Sequence, residues 1–258
     1  MNRRFEDKKN TLFLVLAGVF ITNALLAEIL GSKLFSVEKI FGFAPVNFKF
    51  FGEYVLDFNL TAGVVLWPVV FITTDIINEY FGKRGVRKIT ILTVSLVAFA
   101  FAVIYAITEL PPADFWIEVN SHDAAGNPLD IQSAFKTVYT QGLNIIVASL
   151  IAFVVSQFLD VFIFQRLRKI TGSKHLWMRA TLSTLVSQLI DSYVVLIIAF
   201  YWLGNWPLHL VLAVGVMNYI YKFIVAIAMT PVIYLAHYSI DTYLGKDHAD
   251  RLAEQATK

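Results

Sequence analysis

The sequence predicts an all-α, polytopic membrane protein: six transmembrane helices in a single domain over 1–258, with both termini in the cytoplasm. Three observations carry this. Apolar residues make up 57% and charged residues 16% of 258 positions, against about 45–50% and about 25% in soluble domains. Six apolar runs reach the length of about 20 residues that a bilayer-crossing helix needs. Lys and Arg divide sixteen to four between alternate sides of those runs, with Lys222 alone inside one. The runs are continuous rather than alternating, which argues against a transmembrane β-barrel. With no Cys in the chain, disulfides, thiolate metal sites and cysteine nucleophiles are excluded. A nucleic-acid-binding module, a disordered tail protein and a secreted disulfide scaffold are excluded by the same composition.

The spans are expected at 12–30, 59–81, 89–108, 140–163, 181–203 and 210–236. The first follows Arg3, Arg4, Lys8 and Lys9. It reads as a retained helix, because its apolar run is long and no small-x-small cleavage site follows. Span two holds Pro68 and leads into the basic loop Lys83, Arg84, Arg87 and Lys88. Span three carries Ala98, Ala102 and Ala106, a small-xxx-small ridge suited to helix packing. Spans four and five flank the basic 164–180 loop. Span six contains Pro231, and both Pro68 and Pro231 read as kinks. The basic loops and both termini fall on one side, which the positive-inside rule assigns to the cytoplasm. Residues 31–58 are rich in Phe (35, 41, 43, 48, 50, 51 and 58), and 109–139 are acidic with Pro111, Pro112, Gly126 and Pro128. Both read as outer loops with aromatic anchoring at the interface, or as a lid over a substrate entrance.

Charge inside a span is expensive, roughly 2.5–3.5 kcal/mol at the bilayer centre, and by default marks function. Glu28, Asp75, Glu79, Asp160, Asp191 and Lys222 lie inside the predicted spans, with the amides Asn23, Asn78, Asn144, Gln157, Gln188 and Asn218. Asp75, Asn78 and Glu79 share one helix face at i, i+3, i+4. Thr184, Ser187, Gln188 and Asp191 form a polar stripe at i, i+3, i+4, i+7, which must face the bundle interior. Asp191 and Lys222 are the only opposite charges at matching mid-bilayer depth. They are expected to pair and to floor a cavity, or to be a purely structural pair. Asp75, Glu79 and Asp160 also fit helix-end charges paired with Arg84 or Arg166. Ser156-Gln157-Phe158-Leu159-Asp160 and Ser187-Gln188-Leu189-Ile190-Asp191 repeat one pattern in successive spans, as a duplicated half or by chance.

No Walker A loop, H-E-x-x-H or G-x-S-x-G occurs in the sequence. His122, His175, His209, His237 and His248 sit in loops or at span ends, so no metal site or cofactor is expected.

Pro68-Val69-Val70-Phe71-Ile72-Thr73-Thr74-Asp75-Ile76-Ile77-Asn78-Glu79-Tyr80-Phe81-Gly82, followed by Arg84 and Arg87, resembles the P-x-x-F-x-x-x-D-x-x-x-E-x-[YF]-G signature of the queuosine precursor transporter family, also called the vitamin uptake transporter family. Tyr80-Phe81-Gly82 carries one residue more than the compact Tyr-Gly form. The likeness extends to Asn23, to Ser187–Asp191, and to Tyr221-Lys222 with Pro231, over roughly residues 12–237. It implies a non-enzymatic, multi-pass protein of the cell inner membrane. Its cargo would be 7-cyano-7-deazaguanine or 7-aminomethyl-7-deazaguanine, imported for queuosine synthesis in tRNA.

The resemblance also implies a purine-like small molecule and the lipid bilayer as partners, with no nucleic acid. Asn23, Asp75, Glu79, Gln188, Asp191 and Lys222 would form the substrate site. Asp75 is the expected acceptor for the N–H edge of the base, and Glu79 the expected ion-pair partner of Lys83 and Arg84. The family is similar in build to the substrate-binding subunits of energy-coupling-factor importers. The alternative is therefore a binding subunit that needs a separate ATPase as its energising module. A homo-oligomer is also open. A third class, an intramembrane enzyme using paired carboxylates such as Asp75 with Asp160, lacks a G-x-G-D signature and a nucleophile–base pair.

Overall fold

Lipid offers no partner for backbone N–H and C=O groups, so apolar segments fold as helices that satisfy their own. In the computed structural model, which describes residues 3–50, 54–140, 143–171 and 176–256, helices dominate. They are α1 (Arg3–Leu30), α3 (Trp67–Thr108), α6 (Leu143–Thr171), α7 (Leu176–Leu196), α8 (Leu208–Ala228), α9 (Thr230–Leu244) and α10 (Lys246–Gln255). Among the described residues five helical stretches are long and apolar enough to cross a membrane: Phe5–Leu30, Trp67–Thr108, Ile131–Thr171, Met178–Trp202 and Leu208–Ala228. Phe51, Lys174, His175 and Lys258 lie outside the described residues, as do the side chains of Phe48, Phe50 and Asn144.

The 42-residue α3 is not one rod. Gly82 breaks it with φ 63°, ψ −168°, a region essentially reserved for glycine. The chain reverses there. Phe13 of α1 meets Phe81 with ring centroids 4.9 Å apart and also lies beside Gly85. Three to four turns along α1, Leu25 and Ile29 pack with Val97 and Phe101, while Ala27 abuts Gly63. The two limbs, 67–81 and 83–108, thus run back along the same helix. Gly82 is also crowded: a Cβ on it would stand 2.5 Å from the Ala256 carbonyl oxygen.

Span two begins later than its apolar run predicts. Residues 59–61 form strand β4 (Asn59–Thr61), a 3-10 turn covers Ala62–Val65, and the helix starts at Trp67. Pro68 sits in the first turn of α3, where its missing N–H has no intrahelical partner to lose, so it does not kink the span. Pro231 does interrupt span six. α8 stops at Ala228 and α9 restarts with Pro231 in its first turn, because proline removes a helix bond and clashes with the carbonyl four residues back. Ala98, Ala102 and Ala106 are all exposed on α3, so no described residue covers this ridge.

The outer segments carry more structure than loops. β1 (Leu34–Ser36) pairs antiparallel with β4, and β2 (Phe48–Phe50) with β3 (Tyr54–Leu56). Between them the short α2 (Val37–Phe41) is capped by Ser36 Oγ, which accepts from Lys39 N. Glu38 accepts from Phe58 N at 2.6 Å and from Ser36 Oγ at 2.8 Å; the Phe58 N–H holds its carboxyl below the ordinary range. Phe41 and Phe43 remain exposed. In the second segment, α4 (Asp114–Val119) and α5 (Ile131–Thr140) follow α3, and Lys136 pairs with Glu109 at 2.7 Å.

The core forms where α1, both limbs of α3 and α6 meet, around Phe20, Ala24, Val70, Ile77, Val86, Ile89, Phe153 and Val161. α9 is tied to α3 by Tyr80 Oη, which donates to Asp241 Oδ1 at 2.7 Å. Both ends of the described chain sit at the same end of the bundle. Phe5 stacks on His248 at 4.5 Å, Lys8 Nζ donates to Tyr243 O at 2.6 Å, and α10 covers Gly82.

Candidate functional site

The polar face of the first α3 limb turns inward as its spacing requires. Asp75, Asn78 and Glu79 are 3%, 0% and 4% exposed. The α7 stripe meets it, with Thr184, Ser187 and Gln188 buried, and α6 closes the cluster with Ser156, Gln157, Asp160, Gln165 and Arg168. Burial of so many polar groups is tolerable only when most of them satisfy one another, and most do so, in three layers.

Nearest Gly82, Glu79 Oε1 lies 2.7 Å from Arg179 Nη2 and 3.4 Å from Arg168 Nη2. Arg168 Nη1 also donates to the Glu79 carbonyl at 2.7 Å, and its Nη2 to Ala253 O. Asn78 Oδ1 accepts from Gln165 Nε2 at 2.6 Å. This corrects the expected pairing of Glu79 with Lys83 and Arg84, both of which are exposed. Arg168 and Arg179 looked like loop charges but lie in the last turn of α6 and the first turn of α7, and Arg179 is 1% exposed.

In the middle layer, Asp160 Oδ1 accepts from Ser187 Oγ at 3.2 Å and Thr184 Oγ1 at 3.5 Å, not from Arg166. Gln157 Nε2 donates to Thr74 Oγ1 at 3.1 Å. Asp75 stands apart: its Oδ1 is buried without a hydrogen-bond partner among the described residues, and the charges of Asp160, Glu79 and Arg179 act on it through space. Asn78 Nδ2 and Gln188 Oε1 are likewise buried and unpartnered. Orphaned buried polar atoms are uncommon, and each asks for a reason.

Outward from these, Lys222 Nζ reaches Asp191 Oδ2 at 2.5 Å, the pair expected from their shared depth. Ser156 Oγ adds a longer contact to Asp191 Oδ1 at 3.4 Å. Glu28 accepts from Ser149 Oγ at 2.6 Å. Asn23, half-buried on α1, donates to Val19 O of its own helix at 2.8 Å.

A narrow cleft of about 20 Å³ opens between α3, α7, α8 and α9, lined by Pro68, Phe71, Ile72, Asp75, Thr184, Val225 and Met229 among others. That is room for about one water molecule, so the cleft stands nearly closed. Asp75 is its one charged wall residue, and Trp67 stacks behind Phe71 at 5.9 Å and 20°. Asp191 and Lys222 lie beyond the lining rather than forming its floor. Of the six residues expected in the site, the structure thus brings Asp75 to the cleft, locks Glu79 in an ion pair, sets Gln188 one turn past Thr184 and leaves Asn23 on its own helix. The partners Arg168, Arg179 and Gln165 were missed. The available signal was arithmetic: three acids sat near the inner ends of the spans with no base among them.

Fold and site together define a multi-pass membrane protein with a narrow, largely apolar cleft that has one buried carboxylate, Asp75, in its wall. A family model described as "Putative vitamin uptake transporter" matches residues 61–236, and the chain belongs to this family of membrane transporters. It is 32% identical over 182 residues to the "Probable queuosine precursor transporter" of Bacillus subtilis (strain 168), covering 69% of this chain and 73% of the relative. It is 25% identical over 185 residues to the protein of that name from Haemophilus influenzae, covering 67% and 66%. Against the "Queuosine precursor transporter" of Escherichia coli (strain K12) it is 28% identical over 152 residues, covering 59% and 58%. No solved structure matches the chain.

Proposed function

We propose that the chain imports a queuosine precursor, 7-cyano-7-deazaguanine or 7-aminomethyl-7-deazaguanine, across the cell membrane. It does so as a six-crossing protein with both termini in the cytoplasm. The observation that carries the substrate reading is the unpartnered Asp75 Oδ1 at a cleft walled by the Phe71 ring. A deazaguanine presents adjacent N–H donors on one edge and a flat aromatic face. Asp75 can accept from the first, and Phe71, backed by Trp67, can stack on the second. Asn78 Nδ2 and Gln188 Oε1 stand as a further unused donor and acceptor nearby. The names of the relatives support the same cargo.

The reversal at Gly82 supports six crossings, because it divides 67–108 into two limbs. The first limb rises only about 22 Å at 1.5 Å per residue, so it draws on the 3-10 turn before it to reach across a hydrocarbon core of about 30 Å. The shared end of the two termini and the Lys/Arg asymmetry support a cytoplasmic placement for both.

Binding of both deazapurines to purified wild type and Asp75→Asn decides the substrate reading. The amide presents an N–H to an N–H, and loss of a charge-assisted bond in a dry site lowers affinity about 10–150-fold. Wild-type affinity in the variant would remove Asp75 from the site. Uptake by the purified chain in liposomes without ATP separates a self-sufficient transporter from a binding subunit that waits for an ATPase. For topology, a single Cys introduced at Asn127 should be labelled from outside the cell without permeabilisation.

A further inference from the structure

Away from the substrate cleft, a second groove of about 440 Å³ opens between the second limb of α3 and α6. It is lined by Lys83, Arg87, Phe158, Val161 and Phe162. Its two walls differ in chemistry. Lys83 and Arg87 are four residues apart, so both project from one side of α3 just beyond the Gly82 reversal. Phe158 and Phe162 are four residues apart on α6 and are 42% and 60% exposed, while Val161, at 6%, closes the groove against the core. Among the described residues, no carboxylate lies within ion-pair distance of either cation. Elsewhere in the chain the buried cations are paired, so this rim is a positive site without a protein counter-charge. Lys83 and Arg87 stand where the apolar run of the second limb gives way to basic residues, which in a membrane-spanning helix is the level of the lipid headgroups.

We propose that this groove binds an anionic phospholipid of the surrounding bilayer. Its phosphate would sit between Lys83 and Arg87, and an acyl chain would run along Phe158 and Phe162. Charge complementarity selects the headgroup, and the phenyl wall selects a lipid over a free phosphate, which would leave that surface uncovered. A second copy of the chain would bring like charges to the rim. Basic pockets between transmembrane helices are suited to anionic headgroups, with each cation strengthening binding about fivefold.

The test is competition between phosphatidylglycerol and phosphatidylcholine for the purified full chain, read as lipid retained in native mass spectrometry. Wild type should retain the anionic lipid preferentially. Lys83→Gln/Arg87→Gln should lower that preference about 25-fold, and Lys136→Gln, at the opposite end of the bundle, should leave it unchanged. A photo-crosslinking p-benzoylphenylalanine in place of Phe162 should capture phosphatidylglycerol over phosphatidylcholine, and this readout stands even where the double variant fails to fold. Unchanged preference in the double variant, or equal capture of both lipids at position 162, overturns the proposal. So does displacement of the lipid by millimolar inorganic phosphate, which would show that a free anion suffices.

Discussion

Two five-residue segments of this chain share one pattern and meet in space, yet they have different fates. Ser156–Asp160 on α6 and Ser187–Asp191 on α7 lie on antiparallel neighbours, and each serine hydroxyl is shared between a carbonyl of its own helix and the aspartate of the other segment: Ser187 lies 3.1 Å from Thr184 O and 3.2 Å from Asp160, Ser156 3.1 Å from Phe153 O and 3.4 Å from Asp191. Asp160 is sealed in, with hydroxyls as its hydrogen-bond donors. Asp191 keeps about a fifth of its side chain exposed and holds a full counter-charge in Lys222. The glutamines diverge too. Gln157 is spent on Thr74, whereas the Gln188 oxygen has no partner. One copy of the motif is occupied in holding α3, α6 and α7 together, and the other leaves an acceptor open beside the cleft. Identical local chemistry is thus divided between structure and function by which third helix lies opposite.

The hardest way to break this contrast is to remove the counter-charge. Lys222→Met leaves Asp191 uncompensated and should destabilise by about 3 kcal/mol, the lower end of the range for breaking a buried pair, since 15% and 19% of the two side chains stay exposed. Adding Asp191→Asn should recover most of the loss. The midpoint of detergent-induced unfolding measures both, and a double variant no more stable than the single refutes the pairing.

Smaller effects separate the serines. Ser187→Ala takes the nearest donor from an anion with no cation bonded to it and should lower stability by about 2 kcal/mol. Ser156→Ala, at a longer contact to an anion already paired, should lose about 0.5 kcal/mol. Equal losses in a thermal melt of the two variants would mean that the aspartates do not differ as described. Gln157→Leu forfeits its bond to Thr74, which keeps its own bond to Val70 O at 2.9 Å, so a cost of about 1 kcal/mol is expected. The smallest change in stability should come from Gln188→Leu. It deletes an unpartnered acceptor, so unfolding should be unmoved or slightly harder, while precursor uptake falls. A melting point as depressed as that of Gln157→Leu would place Gln188 among the structural groups.

Much of this was legible beforehand, and the reasons are specific. The α7 stripe followed from helical period, because an i, i+3, i+4, i+7 polar row cannot face lipid. Asp191 and Lys222 were matched by depth alone, since an unpaired mid-bilayer charge is too costly to leave. Arg168 and Arg179 were misjudged because hydropathy ends a span where charges begin, whereas backbone hydrogen bonding does not. α6 runs on to Thr171, and α7 begins at Leu176. The start of span two was misplaced because residues 59–66 are apolar in a strand, a 3-10 turn or a helix alike, and a short apolar run does not distinguish them. The open valence at Asp75 had no signature in one dimension. It depends on what α6 and α7 already use.

The turn at Gly82 also sets a timetable. Its covering carbonyl, at Ala256, is synthesised 174 residues later, and the Ala253 carbonyl that Arg168 grips follows Arg168 by 85 residues. At roughly 5–20 residues per second, the α3 hairpin waits about 9–35 s in the membrane with its glycine bare and the Glu79 layer without its outer seal. During that interval α1, and then α6 and α7, pack against the hairpin, and α10 afterwards closes the end of the bundle where α1 begins.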